Sequence, residues 1–291
     1  MPEFSAAVSL ALFAAFAWSV FDLERRFLSV RIRAMALVAW VTLGALPPLL
    51  IWALASGPHG IESGYWLPAS ASVLLNLLAN FTYFRSLQLA PLSQTLPMLS
   101  FTPAFAAVLA AIFLGERLGV RPVSGLLLVV AGALLLALRP GSGLRGLFVG
   151  LLENRGCRMM VGVALLWSAT LLLDKRALGS ASPQVHALFM NGGVALGALA
   201  VLAAKRELGE LRALRGNGWL LLAAIATGAL ALATQLVALG SVPVGFLETV
   251  KRGVGGILAV VWGRTLLAEP VTLSKVAAVG LMSLGVALVV L

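Results

Sequence analysis

The chain has 291 residues, of which 60% are hydrophobic and 11% charged, and its mean hydropathy is +1.02. Soluble domains carry about 25% charged residues, so composition excludes a water-soluble globular fold. The 21 Lys and Arg outnumber the 11 Asp and Glu and give a net charge of +10. These cations cluster between apolar runs and form no basic tail, so they read as topology determinants facing anionic headgroups, and no nucleic-acid partner is expected. Cys157 is the single cysteine, which excludes an intramolecular disulfide and any Cys-cluster metal site. His-Glu-x-x-His, P-loop and Cys/His metal spacings do not occur, so zinc proteolysis and ATP hydrolysis have no visible machinery and no cofactor is expected.

A membrane-crossing helix needs about 20 mostly apolar residues. In chain order the pattern predicts ten: 5–22, 34–55, 66–89, 92–114, 122–138, 158–174, 183–204, 218–239, 244–267 and 271–291. Met1-Pro2-Glu3-Phe4 lacks a basic leader, so the first run is expected to be a membrane helix and not a cleaved signal peptide. Ala90-Pro91 and Ser241-Val242-Pro243 punctuate the chain before the fourth and ninth segments, because proline disfavours helix at the residue preceding it. Pro97 and Pro103 are expected to kink the fourth segment and free backbone carbonyls. In the seventh, Asn191-Gly192-Gly193 is expected to allow close helix packing.

A repeat underlies this order. Trp18-Ser19 matches Trp167-Ser168 at an offset of 149, Pro91 matches Pro243 at 152, and Glu116/Glu269 and Gly132/Gly285 match at 153. The offset drifts in order, as divergent copies separated by small indels should. Residues 1–140 form the first five-helix copy, 141–157 the inter-repeat loop and 158–291 the second copy. An odd helix number forces the second copy through the bilayer in the opposite sense. The expected fold is therefore all-α and integral to the membrane, ten transmembrane helices in two inverted five-helix repeats, the architecture of secondary transporters.

Basic loop residues gather on the cytoplasmic side. Fifteen of the 21 cations, from Arg25 to Lys275, fall on the side opposite both termini, against four (Arg117, Arg121, Lys175 and Arg176) on the other. Charge thus predicts both termini outside the cytoplasm.

Leu114-Gly115-Glu116-Arg117-Leu118 closes the fourth helix and Leu267-Ala268-Glu269-Pro270 the ninth; Ala90-Pro91-Leu92-Ser93 precedes Phe101-Thr102-Pro103; Asp174-Lys175-Arg176-Ala177-Leu178 follows the sixth. Together, over the whole chain, these resemble the EamA family of the drug/metabolite transporter superfamily. The resemblance implies a ten-helix, multi-pass transporter of the cell membrane working by alternating access, often exporting amino acids, other small metabolites or drugs. It also implies both termini in the cytoplasm, from which this chain's loop charge departs.

Polar side chains inside a span are costly and usually face a cavity or a partner helix. Asn76, Asn80 and Tyr83 fall at i, i+4 and i+7 on one face of the third helix. They read as a hydrogen-bonding wall of a substrate cavity or as interhelical contacts worth about 0.6 kcal/mol each. Gln94 and Gln235, with Thr95, Ser100, Thr102 and Thr234, are candidates for the same wall, although a threonine also bonds back to its own helix. Trp18 and Trp167 read as interfacial anchors rather than cavity aromatics, His59 and His186 as boundary residues rather than proton relays, and Glu116 and Glu269 as structural polar groups at helix ends rather than coupling sites.

Glu248, Lys251 and Arg252, at i, i+3 and i+4, lie about two turns inside the ninth segment. Each ionised group costs about 2.5–3.5 kcal/mol at a helix centre, and Glu248 can pair with either cation along the face. One positive charge is left over. The functional reading is a site for a substrate carboxylate or other anion at Arg252 or Lys251; the alternative is snorkelling to headgroups. The expected function is a secondary transporter of small polar metabolites, amino acids or organic anions, in the direction of export. The small-molecule substrate and the lipid bilayer are its expected partners. A membrane-embedded enzyme acting on lipid-linked substrates and a non-transporting assembly protein are the competing readings. An intramembrane enzyme should show convergent His, Asp and Glu residues, and few are present.

Overall fold

The computed structural model describes residues 2–29, 32–57, 60–89, 96–137, 154–212, 218–266 and 272–290. Among these the chain forms ten α-helices: α1 (Pro2–Ser29), α2 (Ala34–Ala55), α3 (Trp66–Leu89), α4 (Thr102–Phe113), α5 (Val120–Ala137), α6 (Arg155–Leu178), α7 (Pro183–Ala204), α8 (Gly218–Ser241), α9 (Val244–Leu266) and α10 (Leu273–Val290). Nine of them overlap the predicted segments over most of their length, whereas α4 covers only the second half of the fourth, 92–114. Pairing of β type is confined, among the described residues, to an isolated bridge between Ile61 and Ala181.

Six helices are long and apolar enough to cross a bilayer on their own: α1 over Ser5–Arg25, α2, α6, α7, α8 and α10. The other four fall short for physical reasons. The α3 helix carries Asn76, Asn80 and Arg85, and α9 carries Glu248, Lys251, Arg252 and Arg264. The α4 helix has 12 residues, and α5 contributes a shorter apolar stretch, Val120–Leu135. Large apolar side chains such as Leu54, Leu67, Val120 and Leu273 stay exposed at 75–87%, as they do on a multi-pass membrane protein whose solvent is lipid.

The fourth segment is not one continuous α-helix. Leu96–Phe101 is a 3-10 turn and the α-helix starts at Thr102. Pro103 has no N–H to offer the Leu99 carbonyl; the Thr102 hydroxyl donates to that carbonyl instead, at 2.6 Å. The Thr102 carbonyl accepts from Ser168 Oγ of α6 at 3.0 Å. Proline here changes the helix type and ties α4 to a neighbour.

Two compact units divide the chain: Met1–Leu77 with Leu173–Ser241, and Leu78–Leu172 with Val242–Leu291. Each draws helices from both halves of the sequence. In the first unit α1 packs on α8 and α2 on α7. Phe21, Leu28, Leu37 and Val41 close over Leu221 and Ala224 there. Gly193 and Gly197 of α7 accept Val73 and Leu77 of α3, whose side-chain carbons would each lie 2.6 Å from a methyl group placed on the glycine. Gly192 meets nothing within 4 Å, so the close approach expected around Asn191 belongs to Gly193 and Gly197. In the second unit α5 packs on α10 and α4 on α9, and Met98, Leu99, Cys157, Met160, Val163 and Ala164 form a buried cluster.

Candidate functional site

The α9 helix starts where Pro243 ends the preceding turn. Its first N–H groups have no partner within the helix, and the Val244 N–H donates to Glu116 Oε2 at 2.8 Å. Glu116 thus caps α9 from 128 residues away, which gives the expected structural role a specific bond. A carboxylate also complements the positive end of the helix dipole.

Val244 to Val250 are all buried. Gly245 makes room for Ala107 of α4, and Gly256 for the Met282 sulfur of α10. On another face of the same helix, Glu248 is fully buried and bridges two cations. Its Oε1 accepts from Arg252 Nε at 2.8 Å and its Oε2 lies 2.7 Å from Lys251 Nζ. The side chains of Lys251 and Arg252 are 17% and 23% exposed. Glu248 is enclosed in protein, whereas both cations keep part of their side chains exposed. Arg252 engages Glu248 through Nε, and among the described residues its two terminal amino groups have no such partner. The group therefore holds one formal positive charge beyond its ion pairs and a guanidinium edge suited to a carboxylate or phosphate.

The structure brings Glu248, Lys251 and Arg252 together. Gln94 lies outside the described residues, as do Thr95, His59 and Glu269. Asn76, Asn80 and Tyr83 are partly exposed, and Gln235 is buried in α8. The boundary between the compact units runs between Leu77 and Leu78, so Asn76 and Gln235 belong to one unit and Asn80 and Tyr83 to the other. Tyr83 packs on Trp167 with ring centroids 5.6 Å apart; Trp167 is a packing partner at the rim of the Met98–Met160 cluster. Thr234 bonds back to the Leu230 carbonyl at 2.8 Å.

A second polar cluster escaped the sequence reading. His186, expected as a boundary residue, is fully buried. Its Nε2 lies 3.1 Å from Asp174 Oδ1, and its Nδ1 lies 3.2 Å from the Tyr65 hydroxyl. Ser72 Oγ donates to the same Asp174 oxygen. Burial, and then the Asp174 carboxylate, pushes the Tyr65 phenol above its ordinary range, so it stays protonated. Asp174 lies one turn before the end of α6 and His186 in the first turn of α7, 12 residues apart in the chain. That spacing was the available signal, whereas Tyr65 and Ser72 arrive from 100 residues or more upstream.

A model of the EamA-like transporter family matches residues 5–138 and 154–291. An "Uncharacterized transporter" of Archaeoglobus fulgidus is 30% identical over 130 residues, which is 45% of this chain and 46% of the relative. The chain thus spans about half the length of that curated relative. A solved structure described as "Crystal structure of protein" superposes with a TM-score of 0.76 at 21% identity, covering 98% of this chain and 96% of the other. At that identity the likeness carries the fold alone.

Proposed function

Because this chain belongs to the EamA-like transporter family, we propose that it exports a small anionic or zwitterionic metabolite, an amino acid or an organic anion, by alternating access. The observation that carries the reading is the buried Glu248 with its two cations. Two cations against one carboxylate favour an anionic group over a simple cation, and the Arg252 edge suits a carboxylate bidentately. Glu248 holds both heads in place. Asn76, Asn80, Tyr83, Gln94 and Gln235 are, in this reading, candidate hydrogen-bonding groups for the substrate.

The ten helices are taken as ten spans in two inverted copies, 1–140 and 158–291, in the cell membrane, with both termini away from the cytoplasm by loop charge. Reciprocal glycine contacts between α5 and α10 support the inversion.

The test is uptake and counterflow in liposomes holding the purified chain, over amino acids, organic anions and organic cations, with Arg252→Lys and Arg252→Gln beside it. Selectivity for carboxylates, weakened in both variants, is expected. Normal affinity and transport in both would reduce the cluster to a structural ion pair.

A further inference from the structure

We propose that Asp174 and His186 form a proton-binding site that serves as the coupling-ion site of the transport cycle. The coupling half of this statement rests on the transporter reading, and the proton-binding half does not.

The imidazole is fully buried and the Asp174 side chain is 7% exposed. Both ring nitrogens are engaged, Nε2 by Asp174 and Nδ1 by Tyr65. With the imidazole neutral, Nε2–H donates to the carboxylate and the Tyr65 hydroxyl donates to Nδ1. The pair then carries one negative charge. When a proton binds, Nδ1–H donates to the Tyr65 oxygen and the hydroxyl turns away. The pair becomes a neutral sum, and neither the Nε2 nor the Nδ1 bond is lost. A buried site that exchanges one proton at constant bond count, and is less charged when loaded, suits reversible protonation. The proton belongs to the pair and not to one residue.

Ionisable groups of the elements that carry the site bear on this charge, and α2 and α8, which also pack on α7, contain none. The turn before α3 supplies Tyr65 and, exposed, Glu62; α3 supplies Ser72, with Arg85 at its far end. The α6 helix continues with Lys175, half-buried, and Arg176, exposed; α7 has His186 as its ionisable group, Lys205 lying beyond its end. Tyr65 itself packs in a buried apolar cluster with Ala69 and Ala177, against Phe189.

The experiment is nitrogen NMR of 15N-histidine-labelled full chain in lipid nanodiscs. His59→Gln removes the other of the two histidines. As the pH falls from about 9 to about 5, both ring nitrogens of His186 should move together from a neutral tautomer to imidazolium. Asp174→Asn should lower the proton affinity about tenfold or more, while Asp174→Glu, keeping the charge, should restore it. An imidazole fixed in one state throughout, or an unchanged midpoint in Asp174→Asn, overturns the proton site. In proteoliposomes, an imposed pH gradient should drive accumulation of radiolabelled glutamate, succinate or leucine, and Asp174→Asn should lose that response. Wild-type counterflow indifferent to the gradient overturns the coupling. If the wild type moves none of the three probes, the transporter reading fails while the NMR titration still decides the proton site.

Discussion

Gly125 of α5 and Gly285 of α10 meet backbone to backbone: a methyl group on Gly125 would lie 2.5 Å from the Gly285 carbonyl oxygen, and one on Gly285 would lie 2.6 Å from that of Gly125. Further along, a methyl on Gly132 would lie 2.8 Å from the Ala278 carbonyl. In the repeat register of 153, Gly132 corresponds to Gly285 and Gly125 to Ala278. Each contact is therefore the image of the other in that register. Numbers rise along α5 as they fall along α10, so the helices run antiparallel. Small residues are what let helices approach this closely where lipid supplies no hydrophobic drive between them.

Gly125→Ala and Gly285→Ala should each destabilise the protein by about 1–3 kcal/mol, since a backbone carbonyl cannot swing aside as a side chain does. The double variant should cost less than the sum, because one added carbon already separates the helices. Thermal unfolding of purified protein in detergent measures both; full additivity would count against a shared contact.

Glu116→Ala should cost about 0.5–2 kcal/mol by uncapping α9. Glu116→Gln keeps an acceptor for the Val244 N–H and should lose only the charge contribution, about 0.3–1 kcal/mol. Equal losses in the two variants would show that the cap bond is not what the carboxylate supplies.

Glu248→Gln leaves two cations without their buried carboxylate, and breaking a buried pair on one side costs about 3–5 kcal/mol. Adding Lys251→Met should recover part of this by removing one uncompensated charge. A single variant as stable as the wild type would mean that the ion cluster is not buried in the working protein.

Thr102→Val removes the hydroxyl that serves the Leu99 carbonyl and should cost about 1–3 kcal/mol by leaving a buried acceptor unsatisfied. Thr102→Val with Pro103→Ala restores an N–H one residue on and should be more stable than Thr102→Val alone. No recovery in the double variant would assign the cost of Thr102→Val to packing.

The positions of the ten helices were legible in the chain because apolar runs and proline breaks are local. Pro243 stops one helix and starts the next without reference to anything distant. The repeat was legible for the same reason, since Trp18/Trp167 and Gly132/Gly285 keep their order at a slowly drifting offset. The charged face of α9 was legible too, because residues at i, i+3 and i+4 must share a face. Which helices become neighbours was not. Every helix here is apolar on most sides, so periodicity does not mark the side that meets protein and the side that meets lipid. Only the tertiary structure sets α1 on α8 and α2 on α7, brings Glu116 to the start of α9, and gathers Tyr65, Ser72, Asp174 and His186 into one buried cluster. Those contacts join residues that are unremarkable where they stand in the chain. Their energy comes from burying polar groups with partners instead of alone, and the identity of a partner more than 100 residues away is not written in the local sequence.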